Sequence, residues 1–206
     1  MATKESLSQI PKKFKKTGKS FLPKLLASNN NSFSAFPKDM SFNGKEKDEE
    51  VVLIIRAHWI VYLPQVLGAI LLMFIPFLVY FVLGDLFTNI MLYIGLLIAT
   101  VLISISILVT TFMKWYYNVN IITDQKVLDL DFVNALSHNL AEAQLEKIED
   151  VSHKTLGLVS SVFDIGTVYI QTAGAKAEIE FQNIPRPRDV QDIIYDLLEL
   201  KQKGTI

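Results

Sequence analysis

Three histidines, His58, His138 and His153, stand far apart in the chain, and none has the His-x-x-x-His or carboxylate-rich spacing that holds a metal ion. His58 reads as an interfacial side chain and the other two as strand or loop surface. One acidic group, Glu146, Glu149 and Asp150 around Lys147, has the composition of an acid/base pair and more often that of a solvated turn with local ion pairs. Arg186 and Arg188 stand beside prolines, where a basic pair meets either lipid phosphate or plain solvent. Lys12, Lys13, Lys15 and Lys16, with Lys19 behind them, interleave with Ile10, Phe14 and Phe21, a composition suited to anionic headgroups and to dipping apolar side chains into the lipid boundary. The chain has no cysteine, which removes disulfides, thiolate metal sites and cysteine nucleophiles together. No nucleophile elbow, phosphate loop or dinucleotide fingerprint occurs, and Gly157, Gly166 and Gly174 read as turn residues. These residues lead to an expectation of no enzyme activity, no cofactor and no metal.

The elements that must carry these residues begin with an apolar hairpin. Residues 59–83 and 90–113 are each longer than the roughly 20 residues that cross a hydrocarbon core of about 30 Å, and each is apolar on every side. Both are expected to be transmembrane helices, antiparallel because the link from Gly84 to Asn89 only turns the chain. Pro76 is expected to kink the first near Leu72. Gly95, Ala99, Ser104 and Ser106 are expected to let the helices approach closely. Neither span carries a charge, so an ion or proton pathway has no carrier.

Charge sets the orientation. Residues 1–40 hold eight Lys against two acids, Arg56 and Lys114 flank the spans, and the link between them holds Asp85 but no Lys or Arg. The positive-inside rule places both termini in the cytoplasm, and Trp59 and Trp115 fall with Arg56, His58 and Lys114 in the headgroup layer. Residues 116–206 carry eight bases against fourteen acids, an excess of acid that argues against nucleic-acid binding.

Residues 1–48 read as a basic disordered leader, without the apolar core of an export signal, and residues 49–58 as an extended juxtamembrane segment in which Val51–Ile55 suits a strand. After Lys114 the hydrophobic period changes to two. Tyr117, Val119 and Ile121 alternate with Asn118 and Asn120, and Leu128, Leu130 and Phe132 with Asp129 and Asp131, which predicts a hairpin with one apolar face. Further strands are expected over 137–143 and 148–153, and a second hairpin over 166–172 and 177–181. Val190, Ile193, Ile194, Leu197 and Leu198 share one face of a helix that starts near Pro187 and stops near Gly204. The predicted fold class is a membrane α-helical hairpin plus an α+β cytoplasmic domain over 115–201, with that helix laid across an antiparallel sheet.

This order of elements, with RAHW (Arg56 to Trp59), IITD (Ile121 to Asp124), LEKIEDVS (Leu145 to Ser152) and FDIGTVYIQTAG (Phe163 to Gly174), resembles the YdbS-like bacterial PH-domain membrane proteins over about Glu49 to Leu200. The resemblance implies a PH-like β-barrel or strongly bent sheet capped by the C-terminal helix, and no catalytic residue. The functional expectation is a two-span protein whose partners are the lipid bilayer and either another protein or a second copy of itself, as a homo-oligomer. Its rivals are an interfacial lipid-modifying or hydrolytic enzyme, which requires a nucleophile paired with a base in a cleft, and an accessory subunit of a transport complex.

Overall fold

An apolar run with no polar stripe satisfies its backbone internally as a helix, and both runs do so. The computed structural model of the chain describes residues 14, 32–37, 42, 44–84, 90–134, 137–173 and 178–204. It divides into two compact units, one of Trp59–Tyr117 and one that joins Met1–His58 to Asn118–Ile206. In the first, a 3-10 turn (Trp59–Tyr62) leads into α1 (Leu63–Leu83), and α2 covers Ile90–Tyr117. Their 21 and 28 residues correspond to about 32 and 42 Å, so both are long and apolar enough to cross a membrane.

Tyr80 near the end of α1 meets Tyr93 near the start of α2, with ring centroids 5.3 Å apart, so the pair is antiparallel. The seam is made by Ala69, Pro76, Thr100, Ser104 and Thr111, spaced so that each meets the facing helix once per turn or two. Of the four small residues expected there, only Ser104 lies in the seam; Gly95, Ala99 and Ser106 are exposed. Their positions fall outside the repeat that fixes the contact face, and smallness alone does not select a face. α1 continues through Pro76 as one helix. Thr100 donates back to the carbonyls of Leu96 and Leu97, and Thr110 to those of Ser106 and Ile107, which satisfies these hydroxyls within the helix.

Among its described residues the second unit holds two antiparallel sheets, a 3-10 turn (Leu145–Lys147) and two α-helices. β1 (Phe33–Ala35), β2 (Val51–Arg56), β3 (Val119–Thr123), β4 (Lys126–Asn134) and β5 (Ser137–Gln144) pair in that order. β6 (Ile148–Lys154), β7 (Ile165–Thr172) and β8 (Glu178–Pro185) form the second sheet. Between β6 and β7 lies a short helix, α3 (Leu158–Phe163), and α4 (Pro187–Gln202) closes the chain. The main core lies between the sheets and under α4, where Val190, Ile193, Ile194 and Leu197 are fully buried and Leu198 partly so. Gly204, at φ +64°, follows α4 in the left-handed conformation that glycine adopts without strain.

Three expectations change. The leader is not structureless throughout: Phe33 to Ala35 pair with Ile55 to Leu53, and Phe14 is fully buried against Phe36 rather than available to lipid. The cause is β2, whose second edge needs a strand and whose apolar side chains need cover on both faces. The chain re-enters the folded unit at Asn118 rather than 115, because α2 runs on through Tyr117. Finally, the hairpin β3–β4 buries both faces. Val119, Ile121, Leu128 and Leu130 join Val51, Ile54 and Phe42 in a smaller cluster. The opposite face carries Ile122 and Val127 into the main core, together with Asn120 and Asp129, which face each other in register and are buried.

Candidate functional site

The end of the sheet unit where the chain departs at His58 and returns at Asn118 holds most of the predicted site residues that the structure describes. β2 ends at Arg56, in register with Val119, and the Arg56 N–H donates to the Ser32 carbonyl at 2.9 Å. Two residues on, the His58 N–H donates to the carbonyl of Asn183 in β8 at 2.9 Å, so the chain passes from one sheet to the other before it leaves. That carbonyl is available because the β7–β8 register shifts between Gly166 and Val168, and Asn183 in the bulge adopts φ +54°.

The same end gathers three chain corners. The Arg186 N–H donates to the Asp164 carbonyl at 2.7 Å, and the Phe163 ring lies 6.3 Å from the His58 ring. A Cβ on Gly166 would stand 2.6 Å from the Lys154 carbonyl and 2.9 Å from both Pro187 Cγ and Thr155 Oγ1. Gly166 is therefore a close-approach residue inside β7 rather than the turn residue its type suggested. Asp164, Asn183 and Arg186 all hold left-handed backbone, at φ +52°, +54° and +51°. Such conformations cost about 1 to 3 kcal/mol each and persist only where surrounding structure holds them. Burial lowers the His58 pKa from its ordinary 6.5, favouring the neutral ring.

α3 occupies this end and buries none of its residues. Its first turn is closed by the Ser161 N–H and hydroxyl, both donating to the Gly157 carbonyl, and it stops at left-handed Asp164. Leu156 (67 % exposed), Leu158 (87 %), Val159 (59 %), Val162 (77 %) and Phe163 (48 %) project into solvent. Lys154 and Arg188 beside them are exposed, and Arg186 is partly so.

Elsewhere charged groups serve as structural clamps. Lys126 Nζ donates to the Gly44 carbonyl at 2.8 Å, pairs with Glu142 at 3.5 Å and Glu49 at 3.9 Å, and lies over the Phe42 ring. It lines a cleft of about 570 Å³ that also holds Glu46, Glu146, Lys147 and Lys201. Within the acidic group around Lys147, Glu146 pairs with Lys201 at 3.7 Å and Asp150 accepts from the Tyr195 hydroxyl at 2.9 Å. That hydroxyl also meets both the N–H and the carbonyl of Val151, and Gln191 bridges the Val151 carbonyl to His153 Nδ1. α4 thereby covers the outer edge of β6, an edge that would otherwise offer unpaired backbone. Among the described residues no group of three or more His, Cys, Asp or Glu is placed to hold a metal.

The structure thus brings Arg56, His58, Arg186 and Arg188 to one end of the sheet unit. Trp59, Lys114 and Trp115 belong to the helical unit, where the Trp115 ring lies tilted 6.1 Å from that of Phe112 and its buried Nε1 finds no hydrogen-bond partner among the described residues. Lys12, Lys13, Lys15 and Lys16 lie outside the described residues, as does the link holding Asp85; His138 lies in β5, but its side chain is likewise outside them. Sequence reasoning missed Leu156 to Phe163. The signal was present as apolar residues at 158, 159, 162 and 163, but six helical residues are shorter than the window in which periodicity can be read. No family model, curated protein or solved structure matches this chain.

Proposed function

We propose that this chain is a non-enzymatic, two-span membrane protein that holds a PH-like module against the cytoplasmic face to associate with another protein or with itself. The observation that carries the reading is the insertion of the apolar helical pair between two adjacent, directly paired strands. Arg56 on β2 and Val119 on β3 stand in register, so the chain leaves the sheet unit for the helical pair and returns to it at neighbouring positions. Two antiparallel sheets closed by α4 are compatible with a PH-like barrel. The fold alone does not bring a ligand with it. The reading assigns no catalytic step; in its favour, the carboxylates nearest to an acid/base pair are engaged as structural partners of Lys201 and Tyr195. The lysine excess of residues 1–40 favours the cytoplasmic side for both termini.

Because the chain lacks cysteine, single introduced thiols report topology directly. With an impermeant maleimide on intact cells, Asp85→Cys is expected to label, whereas Glu178→Cys labels only after permeabilisation. Labelling of Glu178→Cys in intact cells would sink the orientation. Association is read by cross-linking in the native membrane; a chain that stays monomeric and captures no second protein refutes the module's assigned role.

A further inference from the structure

We propose that the α3 tip is a second, peripheral membrane contact: a short apolar wedge that dips into the lipid boundary beside the point where the chain enters the bilayer. The inference rests on the reading that residues 59–117 span a membrane. His58 is one residue from Trp59, the first residue of the first candidate span, and consecutive Cα atoms are about 3.8 Å apart. With its ring 6.3 Å from that of His58, Phe163 lies close to the chain's entry point whatever the attitude of the rest of the unit.

Two further observations select lipid as the occupant. The first is the arrangement of the apolar side chains: Leu158, Val159, Val162 and Phe163 are all displayed outward from a helix that buries none of its residues, which gives a protrusion and not a groove. A protrusion of aliphatic and aromatic side chains suits the acyl boundary, whereas recognition of a peptide favours a concave pocket. The second is charge. Lys154, Arg186 and Arg188 stand on the corners that flank the tip, against Asp164 and Asp189, a local excess of base in a set of residues, 116–206, that is otherwise strongly acidic. Basic side chains at this height meet lipid phosphates while the apolar ones pass below them. The three left-handed residues that hold the corners fix the tip's geometry rather than leaving it to fold on contact.

The test uses the full chain reconstituted into vesicles of mixed phosphatidylcholine and phosphatidylglycerol, with an environment-sensitive fluorophore on one introduced cysteine at a time. Val162→Cys and Leu158→Cys report the tip, Glu178→Cys the opposite end of the same sheet, and Leu102→Cys, an exposed position within α2, the span itself. Tip labels are expected to be quenched at least about twofold by nitroxides attached near the lipid headgroup and shielded from iodide, as for an interfacial helix. The Glu178 label should respond only to iodide and the Leu102 label only to deep nitroxides. If the Leu102 label is not quenched by lipid, the spanning reading itself fails. If it is quenched while the tip labels behave as Glu178 does, the wedge is overturned and the spans stand. Tip labels shielded from both quenchers would mean that protein covers the tip, which also overturns the proposal. On vesicles of phosphatidylcholine alone, quenching at residue 162 should fall about twofold; equal quenching on both would overturn the role of the basic rim.

Discussion

The helices α3 and α4 bracket the hairpin β7–β8 in the chain, and they dispose of their apolar side chains in opposite ways. In α4, Val190, Ile193, Ile194 and Leu197 are fully buried, each contributing about 1.5 to 3 kcal/mol of transfer free energy. In α3, Leu158 and Val162 are 87 % and 77 % exposed. Length decides the difference. Sixteen residues give α4 about 24 Å, enough to lie across a sheet that needs cover, whereas six give α3 about 9 Å, which leaves it at the sheet's end. Aliphatic side chains form a closing layer in one place and an outward tip in the other.

The comparison is broken most directly at its buried side. Ile194→Ala should destabilise the full chain in detergent by roughly 2 to 5 kcal/mol, read as a lower denaturant midpoint; an unchanged midpoint would remove α4 from the core. Gly166→Ala comes next, at about 1 to 3 kcal/mol, because its methyl would stand 2.6 Å from the Lys154 backbone carbonyl, which must shift. A midpoint equal to that of the parent protein would show that these corners are free to relax.

Smaller effects sharpen the contrast. Tyr195→Phe deletes the hydroxyl that holds the Val151 backbone and should cost about 1 kcal/mol, with faster amide exchange at Val151 as the specific sign. For His58, burial lowers the pKa in the folded state, so the unfolded chain binds the proton more readily. Stability is then full above about pH 6.5 and declines as pH falls through and below that value. His58→Asn should flatten the decline in melting temperature between neutral and mildly acidic buffer, and an identical slope in the variant would assign it to other groups. The smallest effect belongs to the exposed tip. Val162→Ser should leave the midpoint within about 0.5 kcal/mol of the parent; a larger loss would show that α3 is packed after all.

The elements that depend on local periodicity were legible in the chain alone. A run of apolar residues without a polar stripe has one outcome, so both long helices could be read, and the spacing 190, 193, 194, 197 named the buried face of α4 before any sheet was in view. Both hairpins could be placed to within a few residues because alternation and turn residues are local features. Tertiary structure decided whatever depends on cover supplied from far along the chain. Alternation shows that Ile121 and Leu128 share a face but not that both faces of their hairpin are covered, which is why Asn120 and Asp129 turn inward. Phe14 and Phe33 enter the core because β2 offers an open edge and two apolar faces, a demand created more than fifteen residues away. At the candidate site, Arg56, His58, Arg186 and Arg188 were named from charge and position. Their gathering depends on the bulge at Asn183 and the close approach at Gly166, where one missing side chain lets three distant segments meet.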